Sequence, residues 1–157
     1  MGVSTRTPKA WSSEGARSED LNRGPGGWQA ICIADAQSTG ITTTPITIFS
    51  ASITVNTSRR LKVDICCGIL SANAAGSFND LVAFNVLLNG GLQGDRIRGH
   101  IRETGGPGKI TVTGSVPLPA LSGTQTVTLQ AFLESGTGPL TVDVGSSMVI
   151  TDVGSAA

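Results

Sequence analysis

The residues with the clearest chemical potential form a basic row in the second half of the chain. They are Arg96, Arg98, His100 and Arg102. Because they alternate with other residues, all four would lie on one face of a β-strand. Such a face could bind an anion or a carboxylate-bearing neighbour, and an acidic partner strand would offset the repulsion between like charges. Two interpretations stay open: an anionic-partner face, with Glu103 or Glu134 of another copy as candidate partners, or a solvated strand face.

Catalysis by this row would depend on His100, the only histidine in the chain. A catalytic histidine needs a nucleophile and an orienting carboxylate, and the sequence has no local motif for either. No His-x-His, HExxH or paired-cysteine motif provides a ligand set for a transition metal. We therefore predict that the protein is not an enzyme and that it has no catalytic residues, no metal site and no cofactor.

Two further residue sets could carry chemistry. The three cysteines, Cys32, Cys66 and Cys67, are an odd number, and adjacent residues of a strand point to opposite faces. We expect Cys67 to be a small core residue and Cys66 to face the other side. Calcium could still bind to loop carboxylates such as Asp80 or Asp143, although such residues usually form turns.

The elements that must position these side chains are short strands separated by Gly, Pro, Asn and Ser. Alternating apolar and polar residues from 28 to 153 predict about nine strands. We place them at residues 28–34, 46–55, 60–70, 81–89, 91–102, 109–118, 125–133, 140–144 and 148–153. The fold predicted from this spacing is an all-β, antiparallel β-sandwich of jelly-roll type that occupies residues 28–157.

One predicted strand differs from the others because it is apolar on both faces. Residues 81–89 place apolar side chains at nearly every position, which is typical of a strand covered on both sides. In a lone sandwich one face should be polar, so we predict that a neighbouring subunit covers this strand. The predicted interface residues are Val82, Phe84, Val86 and Leu88.

Residues 1–27 have a different composition and cannot form a core of their own. They contain two prolines and several glycines but few apolar side chains. We predict an extended arm with at most a short helix within residues 12–23. Ordering this arm would require a partner surface, and the predicted anchoring residues are Trp11, Arg17, Leu21 and Arg23.

Overall composition narrows the choice of partners. The 11 basic and 11 acidic residues give a formal net charge of zero, so we predict no binding to nucleic acid. No apolar run could cross a bilayer and the N-terminus lacks the apolar segment of a secretory signal, so we predict no membrane association and a cytosol-like compartment. Only 14% of the residues are charged, and a hydroxyl-rich surface suits packing against other protein.

Several segments resemble small virion proteins of tailed bacteriophages. They are ARSEDLN followed by GW, then GITTTPITIFSASITVN, RRLKVDI, and the closing TQTVTLQAFLESGTGPLTVD and MVITDVG, which ends in the D-x-G of Asp152, Val153 and Gly154. The resemblance implies a trimeric jelly roll similar to the C1q/tumour-necrosis-factor fold. It also implies a place on the virion exterior, after synthesis in the host cytoplasm, with the major capsid protein or tail proteins as partners.

The resemblance leaves two functions open. The first is an exterior capsid decoration or minor capsid protein that forms homotrimers and is anchored by its arm. The second is a minor tail or fibre protein whose loops (AQSTGITTT, SANAAGSFND and RETGGPGK) bind a host receptor or surface carbohydrate. The chain lacks aromatic-rich loops, which favours decoration.

Overall fold

A computed structural model describes residues 3–6, 28–34, 37–71, 77–104 and 108–155. Every regular element in this part of the chain is a β-strand, and none of it forms a helix that could span a membrane. The strands are β1 (Val3–Arg6), β2 (Trp28–Ala34), β3 (Ser38–Ile41), β4 (Ile46–Ser71), β5 (Ser77–Leu88), β6 (Gly91–Thr104), β7 (Lys109–Ser135), β8 (Leu140–Val142) and β9 (Ser147–Ser155).

The nine strands form one continuous antiparallel sheet in the order β1-β2-β9-β4-β7-β5-β6, with β8 paired to β3 and β4. The two longest strands, β4 and β7, pair with each other along most of their length. Residues 59–66 of β4 also pair with β9, whereas residues 127–135 of β7 also pair with β5. The long strands therefore join two groups of neighbours.

Both long strands bend where they pass from one group to the other. The β4·β7 register shifts between Val55 and Arg59, and Gly123 of β7 has a φ of +75°, a conformation that glycine adopts without steric cost. The sheet folds on itself at this bend into two layers. The first layer contains β6, β5 and the halves 123–135 of β7 and 46–55 of β4. The second contains β1, β2, β9 and the halves 59–71 of β4 and 109–121 of β7.

Pairing follows a simple order once the two long strands are divided at their bends. β2 pairs with β9, the first half of β4 with the second half of β7, the second half of β4 with the first half of β7, and β5 with β6. In chain order the eight segments are β2, the two halves of β4, β5, β6, the two halves of β7, and β9. The first pairs with the eighth, the second with the seventh, the third with the sixth and the fourth with the fifth. The chain is a long two-stranded ribbon wound around one core.

The core between the layers is a single cluster of apolar side chains, and glycines let the layers approach closely. A Cβ atom on Gly99 of β6 would lie 2.3 Å from Cγ2 of Val112 in β7. A Cβ atom on Gly114 of β7 would lie 2.6 Å from Cδ1 of Ile97 in β6. Because β6 and this half of β7 face each other without pairing, these contacts identify the two layers of a sandwich.

The prediction of an all-β antiparallel sandwich is confirmed, and its jelly-roll type stays a prediction. The structure joins the predicted strands 46–55 and 60–70 into β4, and 109–118 and 125–133 into β7. Residues 56–59 lay between two predicted strands, whereas the strand bends there and continues. Two short strands, β1 and β3, were not predicted.

Most of the predicted arm lies outside the described residues. Residues 7–27 are not described, so the predicted anchors Trp11, Arg17, Leu21 and Arg23 and the short helix within residues 12–23 stay predictions. Near the start of the chain, Val3–Arg6 pairs antiparallel with β2, with Val3 opposite Ala34 and Arg6 opposite Ile31.

Candidate functional site

The basic row lies on β6, the last strand in the sheet order, and faces outward as predicted. The side chains of Arg96 and Arg98 are 42% and 48% exposed, and His100 and Arg102 are exposed as well. On the opposite face of the strand, Ile101 is buried in the core. Alternation along β6 therefore separates a cationic outer face from an apolar inner face.

Two of the three arginines of the row share one carboxylate of the same chain. Nε and Nη2 of Arg98 donate to Oε2 and Oε1 of Glu134 at 2.5 Å and 2.9 Å, and Nη1 of Arg96 donates to Oε1 at 3.1 Å. The guanidinium of Arg96 also lies over the ring of Phe132, 5.0 Å from its centroid, a favourable cation–π geometry. The acidic partner predicted to come from another copy, Glu134, is therefore supplied from within the chain.

This ion-pair cluster shifts the protonation of its members. The hydrogen bond from Arg98, assisted by that from Arg96 and by the charges of both, lowers the pKa of Glu134 to about 2. The same hydrogen bond raises the pKa of Arg98. At neutral pH Glu134 neutralises only one of the three arginine charges of the row, so the outer face of β6 stays cationic.

His100 and Arg102 continue the row beyond this cluster. In the described part of the chain, no side chain forms a hydrogen bond or ion pair with either residue. Across the β5·β6 pair, His100 lies opposite Leu81 and Arg102 lies opposite Asn79, neither of which carries a charge. Among the described side chains, this end of the row therefore has no acidic partner.

The residues predicted to form a subunit interface are inside the chain's own core, so that prediction is corrected. Val82 and Phe84 are fully buried, Val86 is 2% exposed, and Leu88 packs against the same core cluster. Their face of β5 is covered by the second layer of the sandwich. On the outer face of β5, Ala83 is also buried, between its register partners Arg98 and Phe132.

The closing D-x-G segment has a structural role at the bend of β4. Asp152 is fully buried; its Oδ2 accepts a hydrogen bond from Nε of Arg59 at 2.8 Å and its Oδ1 accepts one from the backbone N of Gly154 at 2.8 Å. Arg59 is itself 7% exposed, and its Nη2 atom has no hydrogen-bond partner among the described residues. This buried ion pair ties the last strand to the corner where β4 changes layer.

The carboxylates considered as calcium ligands take part in loop contacts. Asp80 is buried and accepts a hydrogen bond from the backbone N of Thr137 at 2.8 Å. Asp143 binds Nζ of Lys109 at 2.5 Å and Nε2 of Gln37 at 3.1 Å. Within the described residues no group of three His, Cys, Asp or Glu side chains could hold a metal ion.

The cysteines have the predicted placement. Cys67 is fully buried, Cys66 is exposed on the other face of β4, and Cys32 is buried in the core. Burial raises the pKa of the Cys67 thiol to about 12. Cys66 is therefore the accessible thiol among the three.

A cavity of about 280 Å³ opens between the loop after β3 and the loop after β7. It is lined by Thr42, Thr43, Leu133, Gly136, Thr137, Gly138 and Pro139. Leu133 provides an apolar floor, and the threonines carry the hydroxyl groups. The first of these loops belongs to the predicted receptor-contacting segment AQSTGITTT, whereas the second was predicted only as a turn.

Sequence reasoning missed the contacts that join distant positions. Glu134 is 36 residues from Arg98, and Asp152 is 93 residues from Arg59. For the contact between Arg59 and Asp152, the one local signal is compositional. The pair Arg59 and Arg60 and the D-x-G triplet 152–154 both stand out in a chain with few charged residues. Glu134 was expected as a partner of the basic row, but on another copy, because no local pattern places it beside β6 of its own chain.

Comparison with known proteins gives little further information. No protein-family model matches the chain, and no curated protein matches it. Among solved structures, the chain is similar to dimeric latent PorU from Porphyromonas gingivalis, with a TM-score of 0.38 and 14% identity. The match covers 78% of this chain and 13% of that chain. At this level of similarity, no statement about function follows.

Proposed function

We propose that the protein is a structural virion component of a tailed bacteriophage, an exterior capsid decoration or minor capsid protein that acts as a homotrimer. The observation that carries the proposal is the order in which the strands pair. Eight strand segments pair from the outermost inward and wind into two layers. We infer from this winding that the sandwich is a jelly roll, a fold used in viral capsid and lectin domains. The closing segment that resembles phage virion proteins forms strands of this ribbon.

Attachment to the particle is the task we propose for the arm. Trp11 and Leu21 would supply apolar contacts, and Arg17 and Arg23 would supply charged ones. In sequence the arm residues lie between β1 and β2, which pair with each other. The arm can therefore be changed without removing either strand.

The test replaces Trp11, Arg17, Leu21 and Arg23 with serine in the full-length chain. We expect the number of copies retained on purified phage particles to fall severalfold, because the contacts that bind the arm are lost. A matched variant carries serine in place of Arg60, Lys62 and Val153, which are surface residues of the sandwich. It should be retained on the particles in normal number. Full retention of the arm variant would contradict the anchoring role, and the mass of the protein in solution tests the trimer.

A second function, binding of a host receptor or surface carbohydrate by a tail protein, is favoured by the cavity between the loops. Its apolar floor and threonine hydroxyls suit one face of a small polar ligand. Thr43→Arg would block the cavity, whereas Thr47→Arg places the same side chain on an exposed position of β4. This function predicts binding on a glycan array that the first substitution abolishes and the second leaves intact. No binding to any glycan by the wild-type protein would contradict it.

A further inference from the structure

The outer edge of β6 is an unpaired sheet edge in the described part of the chain. β6 ends the strand order of the first layer, and its described pairing partner is β5. An unpaired edge presents a row of backbone N–H and C=O groups that can accept another strand. The question is which residues of β6 present these groups.

The registers of the β5·β7 and β5·β6 pairs determine which backbone groups of β6 face the open edge. The backbone N of Asn89 donates to the O of Thr126, so the even-numbered residues 126–132 of β7 bond to the odd-numbered residues 83–89 of β5. Even-numbered residues of β5, such as Val82, therefore bond to β6, where Val82 lies opposite Gly99. Backbone groups alternate in direction along a strand. Those of Arg98, His100 and Arg102 consequently point to the open edge.

The same three residues also carry the exposed basic side chains of the row. In an added antiparallel strand, the residue opposite each of them would exchange two backbone hydrogen bonds with it. Its side chain would lie beside the basic side chain on the outer face, about 5 Å away. Carboxylates at alternate positions of such a strand would match the row.

We propose that β6 receives an extended acidic segment of a partner protein as an added antiparallel strand, paired to Arg98, His100 and Arg102. The added strand places Asp or Glu at every second position, opposite these residues. Arg102 takes most of the new charge contacts, because Glu134 already binds Arg98, and His100 can donate a hydrogen bond to the added carboxylate. The inference rests on the edge of β6 and does not depend on the proposed virion role.

The corresponding edge of the second layer differs from β6 at one position, where it carries a proline. That edge is the first half of β7, and the β4·β7 register places Lys62 opposite Pro117. Pro117 occupies a position whose backbone N would point outward, and proline has no N–H to donate. A proline that lacks this donor protects a sheet edge from pairing. β6 contains no proline, so Arg98, His100 and Arg102 all keep the backbone N–H that an added strand would use.

The test uses a short synthetic peptide with glutamate at alternate positions and threonine or valine between them. Amide hydrogen exchange of the full-length protein is measured by NMR with and without the peptide. We expect the amides of Arg98, His100 and Arg102 to exchange roughly tenfold more slowly when the peptide is bound. The amides of Ile97 and Gly99, which bond to β5, should not change.

Three matched controls separate strand addition from charge attraction. A peptide with lysine in place of glutamate should not bind. Methylation of the glutamate backbone nitrogens, which would face β6, should abolish binding, whereas methylation of the valine nitrogens, which face away, should not. Arg102→Gln should weaken binding several-fold, and Arg60→Gln, an exposed arginine of the second layer, should have no effect.

Several outcomes would overturn the proposal. Failure of the glutamate peptide to protect the three amides would show that the charges of β6 only keep the edge unpaired. Equal binding by both methylated peptides would show a charge contact without an added strand. Binding of a single-stranded oligonucleotide with the same affinity as the glutamate peptide would identify a general anion patch instead.

Discussion

Replacing Asp152 with asparagine tests the account of the buried ion pair at the bend of β4. The carboxylate is fully buried, and Arg59 is its charged partner at 2.8 Å. The asparagine side chain has nearly the same shape, so the chief effect is to leave the guanidinium of Arg59 buried without a counter-ion. Removing one partner of a buried pair typically costs about 3–5 kcal/mol. We expect the free energy of unfolding of Asp152→Asn to fall by this amount.

Urea denaturation followed by tryptophan fluorescence measures the change. With an m-value of about 1.5 kcal/mol/M, the midpoint should fall by about 2–3 M. Lys62→Met provides a control on β4, the strand that carries Arg59. Lys62 and Asp64 form an ion pair at 3.0 Å whose side chains are 40% and 37% exposed. Exposed pairs contribute about 0.2–1 kcal/mol, so this variant should change the midpoint little.

A double variant shows whether the cost comes from the unpaired charge. Arg59→Met alone leaves the Asp152 carboxylate buried with the Gly154 amide as its remaining hydrogen-bond donor, and should also be strongly destabilising. Arg59→Met combined with Asp152→Asn removes both charges and should cost clearly less than the sum of the single changes. A cost of Asp152→Asn no larger than that of Lys62→Met, or single effects that simply add, would refute the role of the unpaired buried charge.

Three other measurements test the structure. Because the pKa of Glu134 is lowered from 4.5 to about 2, its ion pairs stabilise the fold above pH 4.5, and this contribution is lost as the pH falls toward 2. Glu134→Gln should remove this part of the pH dependence. An NMR titration that gives the Glu134 carboxyl a pKa near 4.5 would contradict the ion-pair cluster. Gly99→Ala should lower the free energy of unfolding by about 1–3 kcal/mol, because the new Cβ would clash with Val112. Gly91→Ala is the control: its Cβ would make ordinary contacts, so the free energy of unfolding should change by less than about 0.5 kcal/mol. A thiol reagent should modify Cys66 in the native protein and reach Cys32 and Cys67 only after unfolding, so reaction of all three at equal rates in native buffer would contradict their burial.

The parts of the fold that follow from local pattern were predictable. Alternation of apolar residues gave the strands and the inward face of β4, where Leu61, Val63 and Ile65 are buried. The length of β4 and β7 was not predictable, because residues 56–58 have turn-forming side chains and the bend is set by packing of the two layers. β1 was missed because its four residues, VSTR, carry no alternating apolar pattern.

The two surface predictions had different outcomes for a physical reason. The basic row was placed correctly because alternation alone decides which face of β6 its side chains share. The β5 prediction failed because two-sided apolarity says that a strand is covered but not by what. Its inner face is covered by the second layer of the same chain, and Ala83 on its outer face is covered by neighbouring strands. Which element covers a strand depends on how distant strands pair, and this cannot be derived from the local pattern. The same strand registers place the backbone groups of Arg98, His100 and Arg102 at the open edge of β6.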